Sequence, residues 1–463
     1  MVIELAAALV MGGAPKGLVD AELVTWAPKL AEVNTLLPFF TRAGEGSVML
    51  APASWRESAH PIVPFDVTRP ESVTAVGIDV TQGLTLSTRG PVSVACHGVS
   101  DVKVFEAACR ARLDRYGPVT KEERGGVTTL LSRDALNRVQ GAVVLKGAEA
   151  CAVHASGQTV EKLLPDVVKA LTGKPLAGAW VKASTDLSAA QYFLLPEAAN
   201  VRLPGWTTTA LSAKGETLTV DVKAKGLPLA TLERGGPSPF ATLSAPGVLV
   251  LRVRVARKQL PALVEQVLSR SPFGKPLTSA GERIAPFLTG NVALVFSRVS
   301  VKSGLRSALN RFFAARFTVV AETDDATAAA EVVQSLDRKA LTFREDALEA
   351  GITGRVVWLS NDVESRDTTL AALAKAEGTQ RHGAELDVDP RGLARALTSV
   401  PLLEVVQTPE LAPVLVVATE LGPLLSLTDK IRGWADGAPA NQRAQLTWVL
   451  SPKPRSAPDA GAP

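Results

Sequence analysis

Val248-Leu-Val-Leu-Arg-Val-Arg-Val255, running into Gln259-Leu-Pro-Ala-Leu-Val-Glu-Gln-Val-Leu268, reads as a strand followed by an amphipathic helix. The same pattern stands near the start of the chain, as Glu22-Leu-Val-Thr-Trp26 followed by Lys29-Leu-Ala-Glu-Val-Asn-Thr-Leu-Leu37. A closing strand is also written twice, as Thr217-Leu-Thr-Val-Asp-Val-Lys223 and Gln445-Leu-Thr-Trp-Val-Leu450. Two segments repeating at one offset, about 230 positions, are the mark of an internal duplication. The expected body is therefore two pseudo-repeated halves, with a ligand sought where they join.

The intervening segments alternate strands with short helices. In the first half Pro91–Cys96 reads as a strand. Asp101 caps a helix to about Tyr116, with Phe105, Cys109, Arg112 and Leu113 on one stripe. In the second half Phe317–Ala321 is the strand, Asp324 or Asp325 the cap, and Ala329, Val332, Val333 and Leu336 the stripe. Downstream come Val127–Leu131, Ala142–Leu145 and Ala150–His154, with a tight hairpin at Lys146-Gly147. A helix over Val160–Leu171 follows, kinked or delayed by Pro165. The second half answers with Leu341–Phe343, Arg355–Leu359 and a helix near Asp367–Ala376, one strand short. Each half then closes on a strand and a helix: Ala179–Ala183 into Asp186–Ala190, and Ala384–Val388 into Asp389-Pro-Arg-Gly-Leu-Ala-Arg-Ala-Leu397. Asp389 before Pro390 is a strong helix start. Hairpins with single helices between them predict an α+β fold, each half an antiparallel or mixed sheet with amphipathic helices packed on one face. The predicted divisions are a signal or disordered leader at 1–16, repeats at 17–226 and 247–450, a Pro/Gly-rich linker at 227–246, and a disordered Pro/Ala-rich tail at 451–463.

Composition narrows the function. At 463 residues, with 46% hydrophobic and 21% charged residues, the chain is long enough for two or three globular cores. The net charge of +4 comes from mixed signs without a basic cluster, which argues against nucleic acid as a partner. Three cysteines form no disulfide framework. They read as buried small hydrophobes, with a Cys96–Cys151 bridge and an active-site thiol as the other readings. The run Leu5–Met11 before Gly12-Gly-Ala14 has the shape of a short export signal, although its start holds Glu4 and no Lys or Arg. It is too short to span a bilayer. The expected location is periplasmic or secreted, with the cytoplasm as the alternative.

Standard catalytic and binding motifs fail individually. No glycine-rich phosphate loop, nucleophile elbow or His-Glu-x-x-His occurs. Asp387, Asp389 and Gly392 match three positions of a calcium loop, but Arg391 and Thr398 stand where oxygen ligands belong. One constellation remains, Cys96 and His97 with His154, joined by Asp101 if the two strands are neighbours; a thiol with imidazoles serves nucleophilic or metal chemistry. Trp26, Trp180, Trp358 and Trp448 lie in or beside predicted strands and are candidates for a pocket wall. The aliphatic stretch from Leu402 to Leu427 is either core or the lining of a groove.

Residues 92–113 and 318–336, each a strand, an Asp and an amphipathic helix, resemble the repeated units of bacterial cell-envelope proteins of unknown function. The resemblance implies a secreted or periplasmic protein that is not an enzyme, and it supplies no catalytic residue. The expectation is an extracytoplasmic binding or scaffolding protein without cofactor or metal, its partner an apolar molecule or an envelope protein. The alternative is an enzyme using Cys96, His97 and His154.

Overall fold

The computed structural model describes residues 16–51, 60–63, 65–66, 69–155, 160–173, 176, 189–195, 207–224, 231–244, 248–268, 275–299, 314–343, 346–398, 421–438 and 440–452. They group into two compact units that divide between Leu227 and Pro228, with Glu45–Ser47 grouped with the second. The leader, the Ala179–Ala183 strand, most of the 402–427 stretch and the tail from residue 453 on lie outside the described residues.

The first unit is an antiparallel sheet with helices. Its strands are β1 (Leu23–Ala27), β2 (Leu84–Arg89), β3 (Val92–Gly98), β4 (Val119–Arg124), β5 (Val127–Arg133), β6 (Val139–Lys146), β7 (Glu149–Ala155), β8 (Gln191–Leu195), β9 (Thr207–Lys214) and β10 (Thr217–Ala224). They lie side by side in the order β4-β5-β6-β7-β3-β2-β1-β8-β9-β10. Helix α1 (Val102–Leu113) follows β3, and its N-cap Asp101 accepts from the amides of Lys103 and Val104 at 2.9 and 3.0 Å. Helix α2 (Leu164–Thr172) follows β7; Pro165 sits in its first turn, where no amide is missed, after a short 3-10 turn at Val160–Leu163. Gly147, at φ +59°, makes the tight β6–β7 turn that an L side chain would strain.

The second unit has β11 (Leu249–Arg254), β12 (Leu288–Val299), β13 (Ala315–Thr323), β14 (Glu349–Thr353), β15 (Val356–Ser360), β16 (Ala384–Val388), β17 (Thr428–Ala438) and β18 (Asn441–Leu450). All pair antiparallel, in the order β14-β15-β13-β12-β11-β16-β17-β18. Helix α3 (Leu260–Leu268) follows β11, α4 (Ala326–Gln334) follows β13, α5 (Val363–Leu373) follows β15 and α6 (Pro390–Thr398) follows β16. Asp325 caps α4 and Asp362 caps α5. The second cap moves that helix four residues upstream of the start expected near Asp367.

The architecture is thus mixed α+β with antiparallel sheets. The eight strands of the second unit are paired in the same order as β6-β7-β3-β2-β1-β8-β9-β10 of the first, and β4 and β5 have no counterpart among the second unit's described strands. Helices do not keep to one face, which corrects the expectation. Phe105, Cys109 and Leu113 of α1 pack with Val143, Leu145, Ala150 and Ala152, while Val167 and Leu171 of α2 pack with Val144, Cys151 and Val153. The residues alternate, as strand geometry requires. Because Ala142–Leu145 and Ala150–Val153 are apolar at every position, both faces need cover. The second unit repeats this, with Val250, Val295 and Val320 against α5 and Val253, Val255 and Ala321 against α3. Part of the expected linker also belongs to a core: Phe240 and Leu243 are 0% and 1% exposed, and Gly236–Ser238 pairs with Gly378–Gln380.

Candidate functional site

The thiol–imidazole constellation does not assemble. Cys96 and Cys151 lie directly opposite one another on β3 and β7, and their sulfurs are joined in a disulfide closing a 55-residue separation. Cys96 therefore offers no nucleophile. His97 points to the other face from Cys96. His154 lies opposite Ser93, four residues along β3 from His97, or about 13 Å at strand rise. Its ring sits 5.5 Å from that of Tyr116. Cys109 is buried in α1, where desolvation pushes its thiol well up from the ordinary value, away from reactivity. Among the described residues no group of three or more His, Cys, Asp or Glu is placed to hold a metal ion.

The partner of His97 is a residue from a different part of the chain. His60 Nε2 and His97 Nε2 are 3.1 Å apart, both side chains buried, with Phe65 and Phe105 around them. The proton positions follow from the other bonds. The amides of Ile62 and Val63 donate to His60 Nδ1 at 3.2 and 2.9 Å, so that nitrogen is bare and Nε2 carries the proton. His97 Nδ1 donates to the Gly98 carbonyl at 2.9 Å, so its Nε2 accepts. Both rings are neutral and every ring nitrogen is used. Burial pulls His97 down to about 4 and His60 well below its ordinary value. The pair is a lock rather than a site, and nothing near His60 in sequence signals it.

The tryptophans separate by role. Trp26 is in the first unit's core, its ring 5.2 Å from that of Tyr192. Trp448 donates through Nε1 to Thr428 Oγ1 at 2.8 Å. Trp180 lies outside the described residues. Trp358, on β15, lines a cavity of about 400 Å3 formed by α4, residues 336–342 and 347–348, and the edge strand β14. Val333, Leu336, Leu341, Leu348, Ala350 and Ile352 supply apolar parts of its wall, and Arg338, Thr342 and Glu349 are among its polar parts. Helix α4 turns Ala329 and Val332 inward to the sheet, which leaves Val333 and Leu336 half-buried on the cavity side. Gly351, directly opposite Trp358, makes room for the indole: a Cβ there would stand 2.2 Å from Trp358 Cζ2. The Arg366 guanidinium sits 5.2 Å from the ring centre, and Glu349 pairs with Arg366 at 2.6 Å. Arg338 is exposed and has no ion pair among the described residues. Such a cavity can desolvate an apolar group and place one cation near it; it holds no nucleophile. The expected stripe of α4 already contained Val333 and Leu336, but the cavity depends on residues from three segments.

Among the described residues no helix is long and apolar enough to cross a membrane. No protein-family model matches the chain, and no curated protein does. Among solved structures the chain is similar to TP0453, a spirochete protein. Against its crystal form I the identity is 12%, with 48% of this chain and 79% of that one covered, at a TM-score of 0.26. Form III gives 12% identity, 48% and 80% coverage, and a TM-score of 0.27.

Proposed function

We propose that this chain is an extracytoplasmic, non-enzymatic binding protein, built from two copies of one α+β unit, that holds an apolar ligand in the Trp358 cavity. The observation that carries the reading is the cavity itself: about 400 Å3, within the range of small-molecule sites, and lined in part by Val333, Leu336, Ala350, Ile352 and Trp358, which the fold leaves half-buried. The ligand site is thus assigned inside the second unit. The shared strand order supports the duplication, since seven pairings in the same order, among them the long-range β1–β2, β1–β8 and β3–β7, are costly to reach twice independently. The Cys96–Cys151 bridge supports export, because such bonds persist in oxidising compartments. A ligand burying about 300 Å2 of apolar surface gains about 7 kcal/mol before ordering costs are subtracted. Since 7 kcal/mol is already only about 10 μM, the expected affinity after those costs is sub-millimolar to millimolar. The test is titration of the detergent-free full chain with N-phenyl-1-naphthylamine. One saturable site is expected, weakened at least about tenfold by Leu336→Glu or Ile352→Glu, since a carboxylate in the wall must be desolvated. Equal binding by wild type and both variants would refute the assignment.

A further inference from the structure

The second unit carries a larger concavity, of about 660 Å3, over β11, β16, β17 and β18. Its floor lies on two cross-strand rows: Arg252, Glu385 and Trp434 in the first, and Val250, Asp387, Arg432 and Thr447 in the second. The strands at the same places in the first unit carry Trp26, Tyr192, Ala210 and Asp221 in one row and Val24, Leu194, Thr208 and Lys223 in the next; the residues of the first three strands are each 3% exposed or less, and Asp221 and Lys223 are half-buried. The faces correspond, since Val24 clusters with α2 and Val250 with α5. Over three strands, a surface that the first unit fills with buried, mostly apolar side chains carries Arg252, Glu385, Asp387 and Arg432 in the second. Stability does not account for the charges, because a buried Arg–carboxylate set is at best a weak stabiliser.

The hydrogen bonds on this floor leave donors in surplus. Glu385 Oε1 accepts from the amides of Arg381 and His382 at 2.9 and 3.1 Å, and its Oε2 is 3.5 Å from Arg252. Asp387 accepts from Arg252 through one oxygen and from Arg432 Nε, at 2.8 Å, through the other. Both of these carboxylates are therefore engaged; the third in the lining, Asp389, is exposed and accepts from the Arg391 amide through Oδ1 at 3.1 Å. On the donor side, Arg252 is 7% exposed and its Nε is buried with no partner. Among the described residues Asp387 is the only ion-pair partner of Arg432, and the Arg381 guanidinium has none. Arg381, Arg432, Ser244 and Thr447 all line the space. His382, bonded through Nδ1 to Asp436 at 2.7 Å, stacks on Trp434 at 4.3 Å and stiffens that end of the wall.

We propose that this concavity is an oxyanion-binding site, taking a small molecule whose carboxylate or phosphate is held by Arg432 and Arg381. A guanidinium with spare N–H groups matches either oxyanion in geometry and charge. Only the contrast between the units rests on their being copies; the surplus of donors stands without it. The experiment is calorimetric titration of the full chain with inorganic phosphate and with succinate at low ionic strength, in wild type, Arg432→Gln and Arg381→Gln. Both residues are half-buried or exposed at the surface, so the variants keep the fold, and far-ultraviolet dichroism checks it. Binding of at least one probe is expected, about tenfold weaker in each variant, since a hydrogen bond to a charged group is lost. Chloride at matched ionic strength should not compete, and the preferred probe names the oxyanion. Equal affinities in wild type and variants, competition by chloride, or no binding of either probe overturns the proposal. Leu336→Glu leaves phosphate or succinate binding unchanged, so failure here is separable from failure of the Trp358 cavity.

Discussion

Acidification is expected to destabilise the first unit through the His60–His97 pair. A proton added to His97 Nε2 would face the proton already on His60 Nε2, and one added to His60 Nδ1 would face two amide donors. The folded state therefore excludes protons that the unfolded chain binds near the ordinary value of 6.5. The sign follows: both values are depressed on folding, so the stabilisation is complete above pH 6.5 and is lost as pH falls toward about 4. In that window His97 removes up to about 1.4 kcal/mol per pH unit, about 3 kcal/mol in all, and His60 adds a loss of the same sign. Urea midpoints from pH 7.5 to pH 4.5 measure it, with the m-value checked for constancy. His97→Gln lowers stability at neutral pH, because a buried bond is broken, but its stability falls less steeply with acid by about 1.4 kcal/mol per pH unit. The double variant with His60→Gln flattens the curve further. Curves parallel to wild type in both variants would refute the reasoning, as would nitrogen chemical shifts showing either ring charged at pH 6.

Removing the disulfide with Cys96→Ala and Cys151→Ala together is expected to cost about 4 kcal/mol, the loop entropy of 55 residues, read from urea midpoints. The native wild type exposes no thiol to an alkylating probe, and Cys109 reacts only after unfolding; one equivalent of rapid labelling would contradict its burial. Gly351→Ala pushes the Trp358 indole aside, costs about 1–3 kcal/mol and alters naphthylamine binding; unchanged Trp358 emission, taken as the difference from Trp358→Phe, would count against the packing. Asp101→Ala removes both amide bonds at the head of α1 and lowers stability by about 1 kcal/mol with an unchanged m-value.

Legibility varied with the range of the interaction. The hairpin at Lys146-Gly147, the helix started by Asp101 and the strand–helix junction at Val388–Pro390 were readable because each depends on residues a few positions apart. The cladding of both faces was missed although its signal was present: Ala142–Leu145 and Ala150–Val153 lack the polar alternation of a one-sided strand. Trp358 was legible as a pocket candidate, and Trp26 was not separable from it, since both read as strand aromatics. The bridge between Cys96 and Cys151 stayed one of three readings until the register of β3 on β7 set the two residues opposite each other.

The amino-acid sequence by itself determined the α+β class and the caps and turns. These rest on local backbone sterics and on periodicity, which act within a dozen residues. Only the tertiary structure decided which strands are neighbours, and with that the meeting of His60 with His97, 37 positions apart, and of Arg252 with Asp387, 135 apart. Side chains so distant become partners only once the sheet order is set, because cross-strand contacts depend on register and not on spacing along the chain.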